Sequence, residues 1–196
     1  MISGPNLASE IARGEPAATV VASAFSEVCD AGQALLANDR FRVYRESDVI
    51  GVEWAGVLKN ILAIASGALD ALKLGWNSRA LLISRGLVEI VRFGKVMGAN
   101  ESTFLGLAGI GDLLATCSSP SSRNYTVGFR LGQGEPLDQV LKDLGRVAEG
   151  VRTTRSVWEF ASQHEIEMPI TEGVCKLLNG KMSVQDILHE LMIRPR

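Results

Sequence analysis

At 196 residues, the chain is long enough for one good-sized domain, or for one domain with a fragment of another. Its 46% hydrophobic content is typical of a globular protein, and a formal net charge of −2 without a basic run argues against a nucleic-acid or anionic-membrane partner. Three widely spaced cysteines and two histidines form no disulfide or zinc pattern, so we expect no metal site and a cytoplasmic location.

Before about residue 47, the pattern alternates between helix and strand. Residues 7–13 can form a short helix ended by Gly14, the valine-rich run 18–22 predicts a buried strand, and residues 41–44 alternate as another strand. Between the two strands, the residues that fall on one helical face are Phe25, Val28, Cys29, Gly32, Leu35 and Leu36. These elements predict the end of an α/β sheet, and they are too few to form a stable sheet alone.

The next predicted helix, at about 49–70, is apolar nearly all the way round. From Trp54 to Leu69 its only polar side chains are Lys59, Asn60 and Ser66, whereas a surface helix would show a charged face. Because Lys59 and Asn60 interrupt the apolar run, we expect no membrane insertion. Lys59 would be partly desolvated among small and apolar neighbours, which can make it a base near neutral pH. The alternative is a lysine whose ammonium reaches the surface along its own stem.

Every later segment has helical periodicity. We expect helices at about 77–98, 107–116, 122–132, 136–144, 149–163, 169–179 and 183–193. Asn77 or Ser78 can cap the first of these, and Arg85, Glu89 and Arg92 mark its expected solvent-exposed face. The chain is therefore predicted to be mainly α, with an α/β remnant at 1–46 followed by an all-α domain at 47–196.

The segment Gly106-Leu-Ala-Gly-Ile-Gly-Asp112 is rich in glycine and ends in an aspartate. Its GxxGxG spacing is wrong for a dinucleotide fingerprint, and no strand comes before it. The glycines instead allow a helix start to approach another backbone closely. Asp112 then either has a functional role or complements the helix dipole. A second segment, Val147-Ala-Glu-Gly150, taken alone is only a helix start.

The segment Ser118–Asn124 places serine hydroxyls and Arg123 ahead of a predicted helix. Backbone N–H groups at a helix N-terminus, together with an arginine, form an anion site best matched to phosphate. An ordinary serine cap with an exposed arginine is the alternative. Combined with a desolvated lysine and an isolated aspartate, such a site suits a phosphorylated alcohol or ketone that exchanges a hydride with a cofactor.

Five stretches carry a resemblance to a known family, in order and at family-like spacing: Ser3–Glu10, Gly56–Asn60, Gly106–Leu113, Ser122–Asn124 and Val147–Gly150. The whole chain resembles the C-terminal two-thirds of NAD(P)-dependent sn-glycerol-3-phosphate dehydrogenases. The resemblance implies a Rossmann domain followed by an all-α domain of the 6-phosphogluconate-dehydrogenase C-terminal type, usually in a homodimer. It also implies interconversion of sn-glycerol 3-phosphate and dihydroxyacetone phosphate with NAD or NADP, which feeds glycerophospholipid synthesis.

The resemblance implies roles for single residues as well. Lys59 looks like the family's catalytic proton acceptor, in contact with the substrate, and Asp112 looks like the acid of its substrate site. The residues that resemble the other substrate contacts are Gly4, Asn6, Ser122, Arg123 and Asn124. The residues that resemble cofactor contacts are Ala8, Arg123, Val147 and Glu149.

The chain also departs from the family. It contains no GxGxxG motif, and its early strands are too few for the two βαβαβ halves of a nucleotide domain. The family's other substrate-site lysine is absent too. We therefore expect a substrate domain that lacks most of its cofactor domain and is inactive alone or dependent on a second polypeptide. Two alternatives remain: a non-catalytic helical module for dimerisation or phosphate binding, and a related dehydrogenase of the ketopantoate or 6-phosphogluconate type.

Overall fold

The computed structural model describes residues 1–145 and 148–194, and these ranges are mainly helical. Three strands lie near the N-terminus: β1 (Ile2–Ser3), β2 (Ala17–Ala22) and β3 (Phe41–Glu46). The helices are α1 (Ala8–Ala12), α2 (Ser26–Leu36), α3 (Val49–Ala71), α4 (Trp76–Val96), α5 (Glu101–Leu105), α6 (Asp112–Ser118), α7 (Arg123–Gly132), α8 (Leu137–Leu144), α9 (Glu149–Gln163), α10 (Pro169–Leu178) and α11 (Val184–Ile193). A π-helical turn, Leu107–Gly111, precedes α6. The predicted fold class, a mainly α chain that begins with an α/β remnant, is confirmed.

The three strands form one sheet with the order β1–β2–β3. β1 is antiparallel to β2, with Ser3 opposite Val20. β2 is parallel to β3 along its whole length, and α2 forms the crossover that a parallel pair requires. The N-terminal part of the chain is therefore a βαβ unit with one short antiparallel strand added.

The predicted apolar face of α2 is only partly buried. Cys29 packs with Val21 and Val43 of the sheet, whereas Phe25 and Leu35 are 64% and 83% exposed. β2 and β3 cover only one side of α2, so the buried part of the helix surface is narrower than its apolar face. The six residues thus share one helical side, but only part of that side is buried in the described residues.

The described residues group into two compact units. The first consists of residues 1–59 and 90–116, and the second of residues 60–89 with the described residues from 117 onward. The unit limits fall inside α3, α4 and α6. The domain boundary that the sequence suggests, at the end of β3, stays a prediction.

A small core joins the sheet of the first unit to its helical part. Val20 and Ala22 of β2 pack against Val52 of α3 and Ala108 of the π-helical turn, and all four are buried. Val20 and Ala22 are alternate residues of the strand, so their side chains point to the same face of the sheet. This core fixes the start of α3 and the segment that leads to Asp112.

In the second unit, α7 packs on the C-terminal half of α3 at very short range. A Cβ added to Gly128 would lie 1.8 Å from the carbonyl oxygen of Ile64, and a Cβ added to Gly67 would lie 2.0 Å from that of Tyr125. Two helix backbones approach this closely only where side chains are absent. These two glycines therefore set the position of α7.

The later helices agree with the predicted ones to within a few residues, with two exceptions. The segment predicted as one helix at 107–116 is a π-helical turn followed by α6, and α5 was not predicted. The predicted cap of α4 is also wrong. α4 begins at Trp76, and the carbonyl oxygen of Gly75 accepts the amides of Ser78 and Arg79.

The prediction that Glu89 faces solvent is wrong. Glu89 is 3% exposed, and its carboxylate accepts the amide of Ile170 at 2.6 Å and both the amide and the hydroxyl of Thr171 at 3.1 and 3.0 Å. These groups belong to the first turn of α10, whose amides have no partner within the helix. Helical periodicity along α4 does not reveal this role, because Glu89 and Ile170 are 81 residues apart.

α3 is, within the described ranges, the helix that is long and apolar enough to cross a bilayer by length and composition, with a mean hydropathy of 1.4. Half of its apolar window is buried inside the protein. Because the core helix of a globular domain has the same pattern, this composition is weak evidence for a membrane span.

Cys29, Cys117 and Cys175 are buried, and none of these three described residues is in a disulfide. The thiol of Cys29 lies 3.5 Å from the carbonyl oxygen of Val21, beneath the sheet. Burial raises the pKa of the Cys175 thiol, so this thiol stays protonated at neutral pH.

Candidate functional site

The structure brings Lys59 and Asp112 together within the first unit. The ammonium Nζ of Lys59, in α3, lies 2.5 Å from Oδ2 of Asp112, the first residue of α6. The Lys59 side chain is 21% exposed and that of Asp112 only 5%. Because an ammonium carries three N–H donors, the pair leaves donors for a ligand on the exposed side of Lys59.

The position of Asp112 follows from the glycine-rich segment before it. A Cβ on Gly109 would lie 2.1 Å from the carbonyl oxygen of Phe104, so only glycine fits where the π-helical turn folds back on α5. The hydroxyl of Thr116, one helical turn after Asp112, donates to its Oδ1 at 3.2 Å. Both oxygens of the carboxylate are therefore held. Thr116 was not among the predicted site residues, although its i, i+4 spacing from Asp112 is visible in the sequence.

The turn that contains Gly4 and Asn6 is fixed by β2. Gly4 has a φ of +149° and lies where a Cβ would meet the backbone of Ala18 and Thr19 at 3.2 Å. The side-chain Nδ2 of Asn6 donates to Oγ1 of Thr19 at 2.8 Å, and that hydroxyl donates to the carbonyl oxygen of Ser3 at 3.0 Å. The Oδ1 of Asn6 is buried and has no hydrogen-bond partner in the described part of the chain.

This turn lies beside α3. A Cβ on Gly56 would be 3.7 Å from Oγ of Ser3. Gly56 precedes Lys59 by three residues, so both lie on the same face of the helix. Ser3, which precedes the turn, thus lies on the side of α3 that carries Lys59, within the first unit.

In the second unit, Ser122 and Arg123 form the start of α7. Ser122 is the N-cap, and its hydroxyl accepts the amide of Tyr125 at 3.4 Å. Arg123 is exposed, and no acidic group among the described residues pairs with its guanidinium. The arginine and the helix N-terminus are both available to an anion.

Asn124 is 9% exposed and connects three helices of the second unit. Its Nδ2 donates to Oδ1 of Asn60 in α3 at 2.9 Å, and its Oδ1 accepts the amide of Gly150 in α9 at 3.0 Å. A Cβ on Gly150 would lie 2.7 Å from that Oδ1, so glycine is required there. Asn124 thus has a structural role, and one amide hydrogen remains outside these two bonds. Asn60 and Gly150 were not among the predicted site residues.

The remaining predicted cofactor contacts are more peripheral. Ala8 and Glu149 are exposed first residues of α1 and α9. Val147 lies outside the described residues. Arg123, also predicted to contact the cofactor, is exposed as well.

Comparison with known proteins gives a consistent result. Residues 48–189 match the family model described as NAD-dependent glycerol-3-phosphate dehydrogenase C-terminus. The chain is 53% identical over 194 residues to the glycerol-3-phosphate dehydrogenase (NAD(P)+) of Synechococcus sp. (strain JA-3-3Ab), and 51% identical to that of Nostoc sp. (strain PCC 7120). Each alignment covers 99% of this chain and 63% of the relative.

Solved structures agree with these matches. The glycerol-3-phosphate dehydrogenase of Coxiella burnetii superposes with a TM-score of 0.93 at 44% identity, over 98% of this chain and 59% of that chain. The corresponding enzyme of Saccharomyces cerevisiae gives a TM-score of 0.85 at 28% identity, over 99% of this chain and 59% of that chain. The chain therefore spans somewhat less than two thirds of the length of each of these four proteins.

Proposed function

Because the chain belongs to the NAD-dependent glycerol-3-phosphate dehydrogenase family, we propose that it serves the interconversion of sn-glycerol 3-phosphate and dihydroxyacetone phosphate. The relatives that it matches carry that enzyme's name. The observation that carries the proposal is the Lys59–Asp112 pair, a partly exposed ammonium held by a nearly buried carboxylate. In this function the reaction supplies glycerol phosphate for glycerophospholipid synthesis.

Lys59 is the catalytic residue of this proposal. In ketone reduction, its ammonium donates a hydrogen bond and then a proton to the carbonyl oxygen, which gains negative charge as hydride arrives. In alcohol oxidation, the neutral amine takes the hydroxyl proton. Asp112 holds Nζ in place from the buried side, at 2.5 Å. The ion pair thereby orients the lysine, a role that the sequence alone did not suggest.

The start of α7 is the proposed phosphate site. Arg123 supplies a delocalised charge with several N–H donors, and the first turn of a ten-residue helix adds backbone amides. Asn124 and Ser122 hold this turn, Asn124 through Asn60 and Gly150. Gly4 and Asn6 are the proposed contacts for the rest of the substrate.

NAD or NADP is the proposed cofactor, and it would supply or accept the hydride. The described residues fit only part of such a molecule. Arg123, Glu149 and Ala8 are exposed and can approach it, but the sequence has no GxGxxG turn for the pyrophosphate. We therefore propose that residues outside this chain hold the pyrophosphate.

The activity test joins this chain to the part of the Synechococcus relative that it does not span, and measures NADH oxidation with dihydroxyacetone phosphate. We expect turnover by the joined protein and none by the chain alone. Lys59→Ala should lower kcat by about a thousandfold, because it removes the proton donor. Lys95→Ala, which removes an exposed lysine paired with Glu101, is the matched control and should not change kcat. Near-normal turnover by Lys59→Ala would disprove the role of the lysine.

The phosphate site is tested by binding. Isothermal titration calorimetry with glycerol 3-phosphate should show affinity weakened about tenfold or more by Arg123→Ala, because a charge-assisted hydrogen bond is lost. Arg85→Ala, another exposed arginine, should bind as the unmodified chain does. Saturable binding without any NADH oxidation in the joined protein would instead favour the non-catalytic phosphate-binding module.

We also propose a homodimer that acts in the cytoplasm without inserting into a membrane. The partial burial of the apolar window of α3 supports the absence of membrane insertion, since a membrane span would need that surface for lipid. Sedimentation equilibrium in detergent-free buffer tests the dimer and the absence of membrane insertion. A monomer would contradict the first, and protein recovered only with detergent would contradict the second.

A further inference from the structure

Thr19 is a polar residue in an otherwise apolar strand. β2 reads Ala-Ala-Thr-Val-Val-Ala, and Thr19 is 0% exposed. A buried hydroxyl is unfavourable unless it is hydrogen-bonded. The partners of this one are the carbonyl oxygen of Ser3 and the amide of Asn6.

The direction of these hydrogen bonds follows from the chemistry of the three groups. The Ser3 carbonyl can only accept, so the single hydroxyl proton of Thr19 points to it. The Thr19 oxygen then has only acceptor capacity left for its other neighbour. Asn6 must therefore present its NH2 group to Thr19, which turns its Oδ1 the opposite way.

The Oδ1 of Asn6 is consequently an acceptor with a fixed direction. It is buried, and no donor within residues 1–145 or 148–194 reaches it. A buried acceptor without a donor is destabilising, so the arrangement favours a ligand that brings an O–H or N–H group. A phosphate oxygen or a carbonyl oxygen cannot fill this role, because neither donates.

We propose that Thr19 is a positioning residue that turns the Asn6 amide so that its Oδ1 accepts a hydrogen bond from a hydroxyl of glycerol 3-phosphate. This inference rests on the proposed function for the identity of the ligand. It assigns the hydroxyl end of the substrate, and not the phosphate, to the Gly4–Asn6 turn. Thr19 itself does not touch the substrate.

The test compares two ligands and three variants of this chain by calorimetry. Glycerol 3-phosphate carries hydroxyls, whereas 1-propyl phosphate is a phosphate ester without them. Thr19→Val should weaken glycerol 3-phosphate binding about tenfold, the effect of one hydrogen bond, and leave 1-propyl phosphate binding unchanged. Thr19→Ser, which keeps the hydroxyl, should restore the affinity for glycerol 3-phosphate relative to that for 1-propyl phosphate.

Thr171→Val is the matched control, because Thr171 is also a buried threonine whose hydroxyl is hydrogen-bonded, to Glu89 in the second unit. It should lower stability without changing the affinity ratio of the two ligands. An equal loss of both ligands in Thr19→Val, or the same ratio as in Thr171→Val, would overturn the inference and leave Thr19 a purely structural residue.

The Asn6 side-chain amide gives a readout that needs no ligand. Its NH2 resonances should exchange faster with water in Thr19→Val than in Thr19→Ser, because the acceptor for Nδ2 is gone. Unchanged exchange would overturn the positioning role even if the protein is an active dehydrogenase. Failure of the unmodified chain to bind glycerol 3-phosphate, with the predicted exchange intact, would instead count against the proposed function and so against this ligand.

Discussion

At the scale of single residues, Asp112 decides what Lys59 can do. A lysine surrounded by apolar neighbours can move anywhere that its four-carbon stem allows, but a carboxylate at 2.5 Å holds Nζ at one place. The carboxylate is itself held by the hydroxyl of Thr116 at 3.2 Å. Positioning of this kind is a large part of what an enzyme contributes to proton transfer.

Asp112→Asn tests this positioning. The amide keeps the shape of the side chain but loses the negative charge that attracts the ammonium. We expect kcat of the joined protein to fall about a hundredfold, with a smaller change in the affinity for glycerol 3-phosphate. Asp39→Asn, at an exposed position, serves as the control and should not change kcat. A kcat unaffected by Asp112→Asn would show that Lys59 needs no partner.

Asp48 is a second carboxylate with fixed partners, and it stabilises the start of α3. It accepts the amides of Gly51 and Asn100 at 2.9 and 2.8 Å and the hydroxyl of Thr103 at 2.7 Å. Burial acts to raise the pKa of Asp48, but these hydrogen bonds together hold it below the ordinary value of 3.8. The stabilisation is therefore complete above pH 3.8 and is lost as pH falls through the lower folded-state pKa.

Asp48→Asn should accordingly lower the free energy of unfolding by about 2 kcal/mol at pH 7, because an amide offers one oxygen where three donors converge. Urea unfolding at pH 7 and near pH 3 measures this loss. The difference in free energy of unfolding between the variant and the unmodified chain should shrink at the lower pH. A difference independent of pH would show that the charge of Asp48 has no part in the effect.

Tyr125 gives a prediction that needs only absorbance. Burial, and then a hydrogen bond to Asp70, raise the pKa of Tyr125 to about 12. The sequence contains two tyrosines, so Tyr44→Phe leaves Tyr125 as the one tyrosine that titrates. Tyrosinate absorbance should then rise with a midpoint at about 12. Because the folded form keeps its proton longer, stability should fall as pH rises above 10, and a midpoint at 10 would contradict the buried hydrogen bond.

At the scale of helices, Glu89 acts as a side-chain cap supplied by another element. α10 begins with Pro169 and has no side-chain cap of its own at Met168. The Glu89 carboxylate caps the helix instead, because it accepts hydrogen bonds from two first-turn amides and from the Thr171 hydroxyl. A negative group at this end is also favoured by the helix dipole.

Glu89→Gln should lower the free energy of unfolding by about 3 kcal/mol, because a buried, charge-assisted cap with two acceptor oxygens is replaced by a neutral amide with one. Glu101→Gln, which breaks an exposed pair with Lys95, should cost less than about 1 kcal/mol. Guanidinium unfolding of both variants compares them directly, and equal losses would contradict the capping role.

Gly128→Ala tests the close approach of α7 to α3. The added methyl group would lie 1.8 Å from the carbonyl oxygen of Ile64, so the helices must move apart. We expect a loss of about 3 kcal/mol in the free energy of unfolding. Gly75→Ala, where a Cβ meets nothing within 4 Å, is the control and should have little effect. A stable Gly128→Ala variant would mean that α7 tolerates displacement.

At the scale of the whole molecule, periodicity predicted most elements but not the contacts among them. The helices after residue 47 were found because their apolar residues repeat every three to four positions. The π-helical turn was missed, since the glycines that allow it also suit an ordinary helix start.

The candidate site shows the same limit. Family resemblance pointed to Lys59 and Asp112 separately, but 53 residues separate them and no local pattern relates the two. Asn60, Asn124 and Gly150 likewise meet only in the folded chain. Hydrogen-bond networks of this kind depend on distances between elements, which the sequence of a single chain does not contain.

The buried cysteines allow local opening of the protein to be measured by thiol labelling. Cys29 lies in the first unit, and Cys117 and Cys175 lie in the second. An alkylating reagent can reach these thiols only when the surrounding structure opens, so the labelling rate measures how often each region does so. Mass spectrometry after brief labelling would then rank the two units by stability, in the unmodified protein and without a denaturant. A variant such as Gly128→Ala should increase the labelling rate of Cys175 more than that of Cys29.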